Sequence, residues 1–449
     1  ATVIFLPWQI YNYLFPHRPR TFPVATRSAY LLLLLTHNCR SRGWRNPFRT
    51  VLCEIIDEDG DAPHDPTALR LRLNDLFASL CSSADTPAGT LLLYTLFHGN
   101  PMFMNFLLAR TDLDKLLLPL LAQMYDADKL KPFQRYILLI VFLLFTQDSG
   151  FCDSVHISEV PLQPISHVAW FKDRLLVDVS LGSLILIMLL RTVQFNLTKL
   201  QDGYMHTTSF AALANMSPHV QNIHPYAAQR IVGVLFVLIR KYERLTKRVC
   251  VCVCVGYIPP PQCFAFLPHA FFLQLTASVE QYAQLLHILL EIIHACLAPR
   301  VLRHNLHLVY TLMHRRDTLQ PLQTDPRFAS LVEGVVEVLA HFQGILHTET
   351  EKGSVLAEED VIRLLKANCQ SWRGGADAAA QAASLADTKF TYDEEACPED
   401  FFVPYAWALT VGNTRDLQWD PLKIALFPVS DAGLGDDIVD TDPTARGTP

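Results

Sequence analysis

The chain has 449 residues, of which 50% are hydrophobic and 18% are charged, and its formal net charge is −7. This length suits two or three domains or one continuous repeat structure, and the composition supports a large buried core. The negative charge and the scattered lysines and arginines argue against a nucleic-acid-binding protein, which would carry a basic surface.

The eleven cysteines follow no spacing that indicates a disulfide framework or a zinc ribbon, and the sequence contains no CxxC pair. Isolated cysteines of this kind are typical of the buried free thiols of cytosolic proteins. The isolated ones are Cys39, Cys53, Cys81, Cys152, Cys296, Cys369 and Cys397.

The first 27 residues hold four prolines among aromatic side chains and arginines, and we expect residues 1–27 to be irregular. Because the chain starts at Ala1 instead of a methionine, we also expect it to be truncated at its N-terminus, and residues 1–27 need not be native. Ser28 to Cys39 predicts a short buried helix. Its run of five leucines is far shorter than a membrane span.

The next stretch alternates loops and capped helices. Residues 57–66 are acidic and predict a solvated turn, and a helix is expected from Thr67 to Leu80. Thr86 and Pro87 predict a helix start. The threonine side chain can accept a hydrogen bond from an N–H of the first turn, and proline fits the first helical position because an N–H there would have no partner within the helix. That helix should stop at Gly99.

Two segments, 136–147 and 179–190, are apolar on every side and contain no charged residue. A helix of a dozen residues spans about 18 Å, whereas the hydrocarbon core of a bilayer is about 30 Å thick. Both segments therefore predict buried helices at the centre of a helical stack. Insertion of both into a membrane is the alternative.

Residues 204–246 predict two helices joined by a short link. Small and apolar residues dominate the first helix, Pro218 ends it, and Pro225 suits the first turn of the second. The second helix carries one apolar stripe at three- and four-residue steps, from Ala228 to Tyr242. Such pairs are the unit of armadillo- and HEAT-type solenoids, so we predict an all-α, armadillo/HEAT-like α-solenoid without a significant β-sheet.

Several runs of sequence together resemble the dymeclin family. They are LLLYTLFHGN at 91–100, ARTDLDKLLLPLL at 109–121, the block from Ser180 to Ile231, and the C-terminal PEDFFVPYAWALTV and LQWDPLKIALF. The matches cover roughly residues 28–245 and 280–428, in order. No single run is specific, whereas their combination is.

The resemblance implies a peripheral Golgi protein that exchanges with the cytosol and is needed for Golgi organisation and secretory traffic. Family members are longer at the N-terminus, where a starting glycine is used for myristoylation. The resemblance carries over no catalytic residue.

Residues 248–274 interrupt the resemblance. The seven residues from Val249 alternate valine and cysteine, and as a strand they would place three cysteines on one face. This run without a nearby histidine is a poor zinc ligand set. A GT dinucleotide repeat encodes Val-Cys alternation, and the Phe-Phe-Leu-Gln of 271–274 is what the end of many introns would encode. We therefore expect an irregular, poorly packed insert translated from a retained intron, with a genuine insertion loop as the alternative.

The remaining sequence completes the predicted domain organisation. Seven histidines fall in the helical part, but no carboxylate or thiol set completes a metal site; they are His287, His294, His304, His307, His314, His341 and His347.

We expect five aromatic residues to dock the C-terminal motif on the last helices, with an exposed partner site as the alternative; they are Phe401, Phe402, Tyr405, Trp407 and Trp419. The predicted segments are irregular 1–27, solenoid 28–247, insert 248–274, solenoid 275–370, Ala/Gly-rich linker 371–389, C-terminal motif 390–428 and acidic disordered tail 429–449.

No phosphate-binding loop, nucleophile elbow, HExxH or paired-carboxylate motif occurs. We therefore predict no enzyme, no catalytic, cofactor-binding or metal-binding residue, no nucleic acid and no small-molecule substrate. The predicted function is a scaffold or adaptor on the cytosolic face of the Golgi and in the cytoplasm, with protein partners of the trafficking machinery and a peripheral membrane contact in the full-length protein. The alternatives are an integral membrane protein that uses 136–147 and 179–190, and a helical-repeat adaptor outside the secretory pathway.

Overall fold

The computed structural model of the chain is almost entirely helical. It describes residues 23–41, 43–60, 68–156, 170–176, 178–254, 266–351, 357–369, 372 and 389–413. In these ranges lie α1 (Pro23–His37), α2 (Pro47–Cys53), α3 (Leu73–Ser83), α4 (Pro87–Gly99), α5 (Pro101–Leu108), α6 (Asp114–Tyr125), α7 (Pro132–Thr146), α8 (Ser149–His156), α9 (Leu181–Phe195), α10 (Gly203–Met216), α11 (Pro225–Cys254), α12 (Phe266–Cys296), α13 (Leu306–Met313), α14 (Gln320–Gln323), α15 (Ala329–Glu351), α16 (Glu358–Asn368) and α17 (Glu399–Asn413). Two strands, β1 (Ile56–Asp57) and β2 (Arg70–Leu71), pair in parallel.

Many helices begin where the sequence offers a capping side chain followed by proline. The Thr86 hydroxyl accepts a hydrogen bond from the Gly89 amide at 3.0 Å, Pro87 opens α4, and α4 ends at Gly99 as predicted. Asn100 then caps α5 by accepting from the Phe103 amide at 2.9 Å. A single loop residue therefore separates two helices, which fixes their relative direction.

The helices pack in two rows. The first row contains α4, α7, α10, α12 and α15, and each of these helices contacts the next one in the row. The second row contains α3, α6, α9, α11 and α13, with the same pattern of contacts. Neighbours across the rows are also close along the chain, as for α3 with α4, α6 with α7, α9 with α10 and α11 with α12. Each of these four pairs thus adds one member to each row.

Helices α7 and α9 form the most apolar part of the core. All but one residue of α9 up to Val193 are buried, and α7 is buried from Ile137 to Thr146. Within the described ranges, two helical spans are long and apolar enough to cross a membrane: Leu181–Leu200, which is α9 with its π-helical end, and α15. A third would result if α7 and α8, bent by 92°, were one span. Of the 18 consecutive residues that are most apolar in each span, 78% are buried within the protein in the span that contains α9, and 33% are buried in α15.

Two predicted helix boundaries are wrong. The helix expected from Thr67 begins at Leu73, because residues 70–71 pair with residues 56–57 as a short strand. Leu69, which the helical stripe would bury, is 45% exposed. The segment 1–27, expected to be irregular throughout, is helical from Pro23, and residues before it lie outside the described ranges.

The predicted helix pair in 204–246 is confirmed as α10 and α11, but α11 extends further than expected. It continues as a helix through the Val-Cys alternation to Cys254, and α12 begins at Phe266. The strand interpretation of the alternation is therefore wrong, and so is the expectation that all of 248–274 is irregular. No glycine or proline interrupts the alternation, and a formed helix extends at little cost. Residues 255–265 lie outside the described ranges, and the retained intron stays a prediction.

Candidate functional site

The C-terminal segment, residues 389–413, returns to helices from the first half of the chain. Residues 389–397 contain no helix, and α17 follows them. The buried side chain of Asn215, near the end of α10, holds the backbone of Phe390 by two hydrogen bonds. Its Nδ2 donates to the Phe390 carbonyl at 2.9 Å, and its Oδ1 accepts from the Phe390 amide at 2.9 Å. This paired contact fixes the position at which the segment enters the site.

The residues after this anchor alternate between the protein and solvent, as in an extended strand. The half-buried positions are Phe390, Tyr392 and Glu394, and the exposed positions are Thr391, Asp393 and Glu395. The inward-facing side chains consequently contact the helices, and two carboxylates remain at the surface.

A charged and hydroxylated cluster holds the inward face. The Glu394 carboxylate accepts a hydrogen bond from the Arg49 guanidinium at 2.6 Å and from the Tyr94 hydroxyl at 2.8 Å. The Tyr392 hydroxyl lies 3.1 Å from that of Tyr94. The side chains of Arg49 and Glu394 are 25% and 20% exposed, so this ion pair is screened less than one at the surface. It joins α2, α4 and the C-terminal segment.

The protonation states in this cluster favour binding over proton transfer. Burial lowers the pKa of Arg49, but the adjacent charge and hydrogen bond of Glu394 outweigh it and raise the pKa above its usual value. Burial, followed by the charge of Glu394, raises the pKa of Tyr94. Burial is also the main cause that raises the pKa of Tyr392. Both tyrosines therefore remain neutral donors beside a permanent cation.

Aromatic contacts fix the first turns of α17. The ring of Phe402 is stacked between His37 of α1 and Tyr94 of α4, with ring centroids 5.0 Å and 5.1 Å away. Burial, followed by the charge of Arg49, lowers the pKa of His37 to about 3, so its ring is neutral. Stacking on two neutral rings adds to the free energy gained by burying Phe402.

The prediction that this motif docks on the last helices is wrong. Phe133 of α7 contacts the rings of Phe401 and Tyr405 at 5.2 Å and 5.6 Å, and α17 packs on α1. Tyr405 is buried, and Trp407 is half-buried. Trp419 lies outside the described ranges, with residues 414–449.

A cavity of about 540 Å³ lies between the C-terminal segment and helices α7 and α10. Its wall on the helices is formed by Tyr136, Ile140, Leu143, Tyr204, Thr207, Thr208 and Ala211. Its other wall belongs to the C-terminal segment and is formed by residues 390–395 together with Pro398, Phe401 and Phe402. Its size is in the range of small-molecule or side-chain sites.

The other titratable groups of the described ranges provide no activated nucleophile. Burial raises the pKa of Cys81 to about 11 and that of Cys152 and Cys296 to about 12, so these thiols stay protonated. No group of three or more metal-ligating side chains occurs among the residues that the structure places. The histidines noted in the sequence have separate contacts: His287, for instance, pairs with Glu291, and His347 with Glu351.

Sequence comparison identifies the family to which this architecture belongs. The model of the family described as "Dymeclin: Dyggve-Melchior-Clausen syndrome protein" matches residues 8–409. The chain belongs to the dymeclin family. The matched range reaches into α17, so the C-terminal segment up to Leu409 is part of the family sequence.

Curated dymeclins from several animals resemble the chain over most of its length. Dymeclin of Mus musculus is 32% identical over 410 residues, which cover 91% of this chain and 58% of the relative. Dymeclin of Xenopus laevis is 32% identical, with coverage of 92% and 59%, and that of Drosophila melanogaster is 30% identical, with 86% and 53%. The chain thus spans a little over half the length of these dymeclins. No solved structure matches it.

Sequence reasoning placed the dymeclin C-terminal motif on the wrong helices because the contacts join distant parts of the chain. Glu394 is 345 residues from Arg49 and 300 from Tyr94. One signal was available: the alternation of Phe390, Tyr392 and Glu394 with exposed residues indicates an extended segment with one face on protein. It does not indicate which helices receive that face.

Proposed function

We propose that the chain acts as a non-enzymatic scaffold or adaptor on the cytosolic face of the Golgi, needed for Golgi organisation and secretory vesicle traffic. The observation that carries this proposal is membership of the dymeclin family across residues 8–409. The site supports it, because neutral tyrosines, protonated thiols and a partly buried ion pair suit binding better than catalysis.

The fold assigned to this scaffold is an armadillo/HEAT-like α-solenoid. The arrangement in two rows supports it, since each helix contacts its sequence neighbour across the rows and the next helix of its own row. In solenoids this arrangement creates extended surfaces that bind other proteins. The partners would accordingly be proteins of the trafficking machinery.

The proposed membrane contact is peripheral. An integral membrane protein is the second candidate, because two helical spans in the described ranges have the length and composition to cross a bilayer. Burial within the protein favours the peripheral form for α9, whose apolar side chains already contact other helices. Carbonate extraction separates the two: a peripheral scaffold is released into the soluble fraction, and an integral protein stays with the membrane pellet.

Imaging tests the location and the role. A fluorescent fusion of the complete protein should overlap a Golgi marker, and its depletion should fragment the Golgi and slow the arrival of a secreted reporter. Re-expression of the fusion should restore both. A diffuse fusion together with an intact Golgi after depletion would reject the proposal and favour an adaptor outside the secretory pathway.

A further inference from the structure

The cavity beside the C-terminal segment combines an apolar interior with an acidic rim that lacks cations. Asp393 and Glu395 line it and are exposed, and neither forms an ion pair with any residue in the described ranges. Glu394, between them, is neutralised by Arg49. Two negative charges are therefore left at one edge of a pocket whose floor is formed by Ile140, Leu143 and Ala211 of α7 and α10.

Tyrosine rings of the same cavity add a second preference for positive charge. The rings of Tyr136 and Tyr204 meet edge to face with their centroids 5.2 Å apart. Burial raises the pKa of Tyr136 to about 12, with a further contribution from its hydrogen bond to Asp202, and burial also raises that of Tyr204. Both rings are thus neutral, and neutral tyrosine faces attract ammonium and guanidinium groups.

We propose that this cavity binds an extended segment of a partner protein in which basic residues, lysine or arginine, alternate with apolar ones. The floor suits an apolar side chain of such a segment, and Asp393 and Glu395 at the mouth suit the charged heads of the basic residues beside it. Alternation fits because neighbouring residues of an extended segment point in opposite directions. This inference rests on the proposed scaffold function, for which it names the chemistry of the partner.

The same charges disfavour other ligands. Phosphate groups of lipids or nucleic acids would meet two unpaired carboxylates at the entrance and no free arginine among the described lining residues. An acidic peptide would be repelled in the same way. A basic segment gains from electrostatic attraction at the rim and from burial in the floor.

Peptide binding to the purified complete chain tests the proposal. The probe is a fluorescein-labelled nonapeptide that alternates arginine and leucine, measured by fluorescence anisotropy at about 50 mM salt, where surface charges act over the longest useful range. Two comparison peptides alternate glutamate with leucine and arginine with serine. We expect the Arg-Leu peptide to bind about tenfold more tightly than either, because it alone offers both the charge and the apolar residues.

Two variants locate the binding site. Asp393→Asn with Glu395→Gln should weaken binding about tenfold, because it removes both rim charges. The matched control, Glu333→Gln with Glu337→Gln, removes two exposed charges from α15 and should leave the affinity unchanged. Ala211→Trp fills the cavity without altering the charge and should also weaken binding, provided that thermal unfolding shows a folded protein.

Three results would overturn the inference. The first is that the Arg-Leu peptide does not bind the unmodified chain. The second is that the Glu-Leu or the Arg-Ser peptide binds as tightly as the Arg-Leu peptide. The third is that the rim variant and the control variant change the affinity equally. These results leave the Golgi location untouched, because imaging of the unmodified protein tests that separately. Conversely, a diffuse protein that still binds the peptide in the predicted order would reject the Golgi role and retain the site.

Discussion

Replacing Phe402 by alanine should release the C-terminal segment before it affects the rest of the protein. The ring is 4% exposed and lies between His37 and Tyr94, and truncating a buried phenylalanine costs about 3–5 kcal/mol. Segment 389–413 has few other anchors: two hydrogen bonds to Asn215, the Glu394 cluster, the packing of α17 on α1, and the ring contacts of α17 with Phe133 of α7. The segment can detach without breaking either row of helices. The loss of stability caused by Phe402→Ala therefore cannot exceed the free energy that holds the segment in place.

Hydrogen–deuterium exchange measures this directly. In Phe402→Ala, amides of 389–413 should exchange about a hundredfold faster or more, which corresponds to about 3 kcal/mol, while those of α9 keep their protection. Phe328→Ala is the matched control, because Phe328 is a buried ring that contacts Tyr242 of α11 and is not among the contacts described for this segment. Uniform loss of protection across both rows in Phe402→Ala, or unchanged exchange in 389–413, would refute the reasoning.

Three further predictions concern the ion pair and a buried histidine. A double-mutant cycle of Arg49→Met and Glu394→Gln, measured by urea unfolding, should give a coupling free energy of about 1–2 kcal/mol. This is less than a fully buried pair would give, because both side chains are partly exposed. A coupling near zero would contradict a stabilising role of the ion pair. Gly182→Ala should destabilise the fold by about 1–3 kcal/mol, because the added Cβ would overlap the imidazole of His156. The control is Gly233→Ala in α11, where nothing lies within 4 Å of the added Cβ, and it should be neutral or slightly stabilising. Thermal unfolding compares the stability of the two variants. Burial lowers the pKa of His156 to about 3, so the unfolded chain binds a proton more readily and stability should fall as the pH drops below 6.5. The expected loss is about 2 kcal/mol by pH 5, and His156→Phe should flatten this slope in urea titrations at several pH values.

The sequence predicted those parts of the fold that local patterns encode. The cap of Thr86 and the proline after it placed the start of α4, and the apolar runs at 136–147 and 179–190 placed α7 and α9 in the core. Such features depend on neighbours within one or two helical turns, so a single sequence contains them. The expectation of an irregular insert at 248–274 rests on the break in the family resemblance, and it is wrong up to Cys254 because the helix α11 extends through the Val-Cys alternation.

The candidate site could not be predicted because no local pattern encodes it. Its cavity is formed by α7, α10 and the C-terminal segment, which are widely separated in sequence. The hydrogen bonds of Glu394 extend across 300 and 345 residues. The sequence did indicate an aromatic and acidic C-terminal motif that docks on helices, and only the three-dimensional arrangement determines that the helices are α1, α4 and α7.

The long separation between Arg49 and Glu394 has a consequence for biosynthesis. Ribosomes add about 5–20 residues per second, so the 345 residues between the two partners take about 20–70 s to synthesise. Once α4 is complete at Gly99, early in that interval, α1, α2 and α4 still lack the segment that covers the stacking partners of Phe402 and neutralises Arg49. These helices would present an apolar, positively charged face to solvent on the nascent chain. This is the kind of surface that chaperones bind, and it disappears only when the last described helix is made.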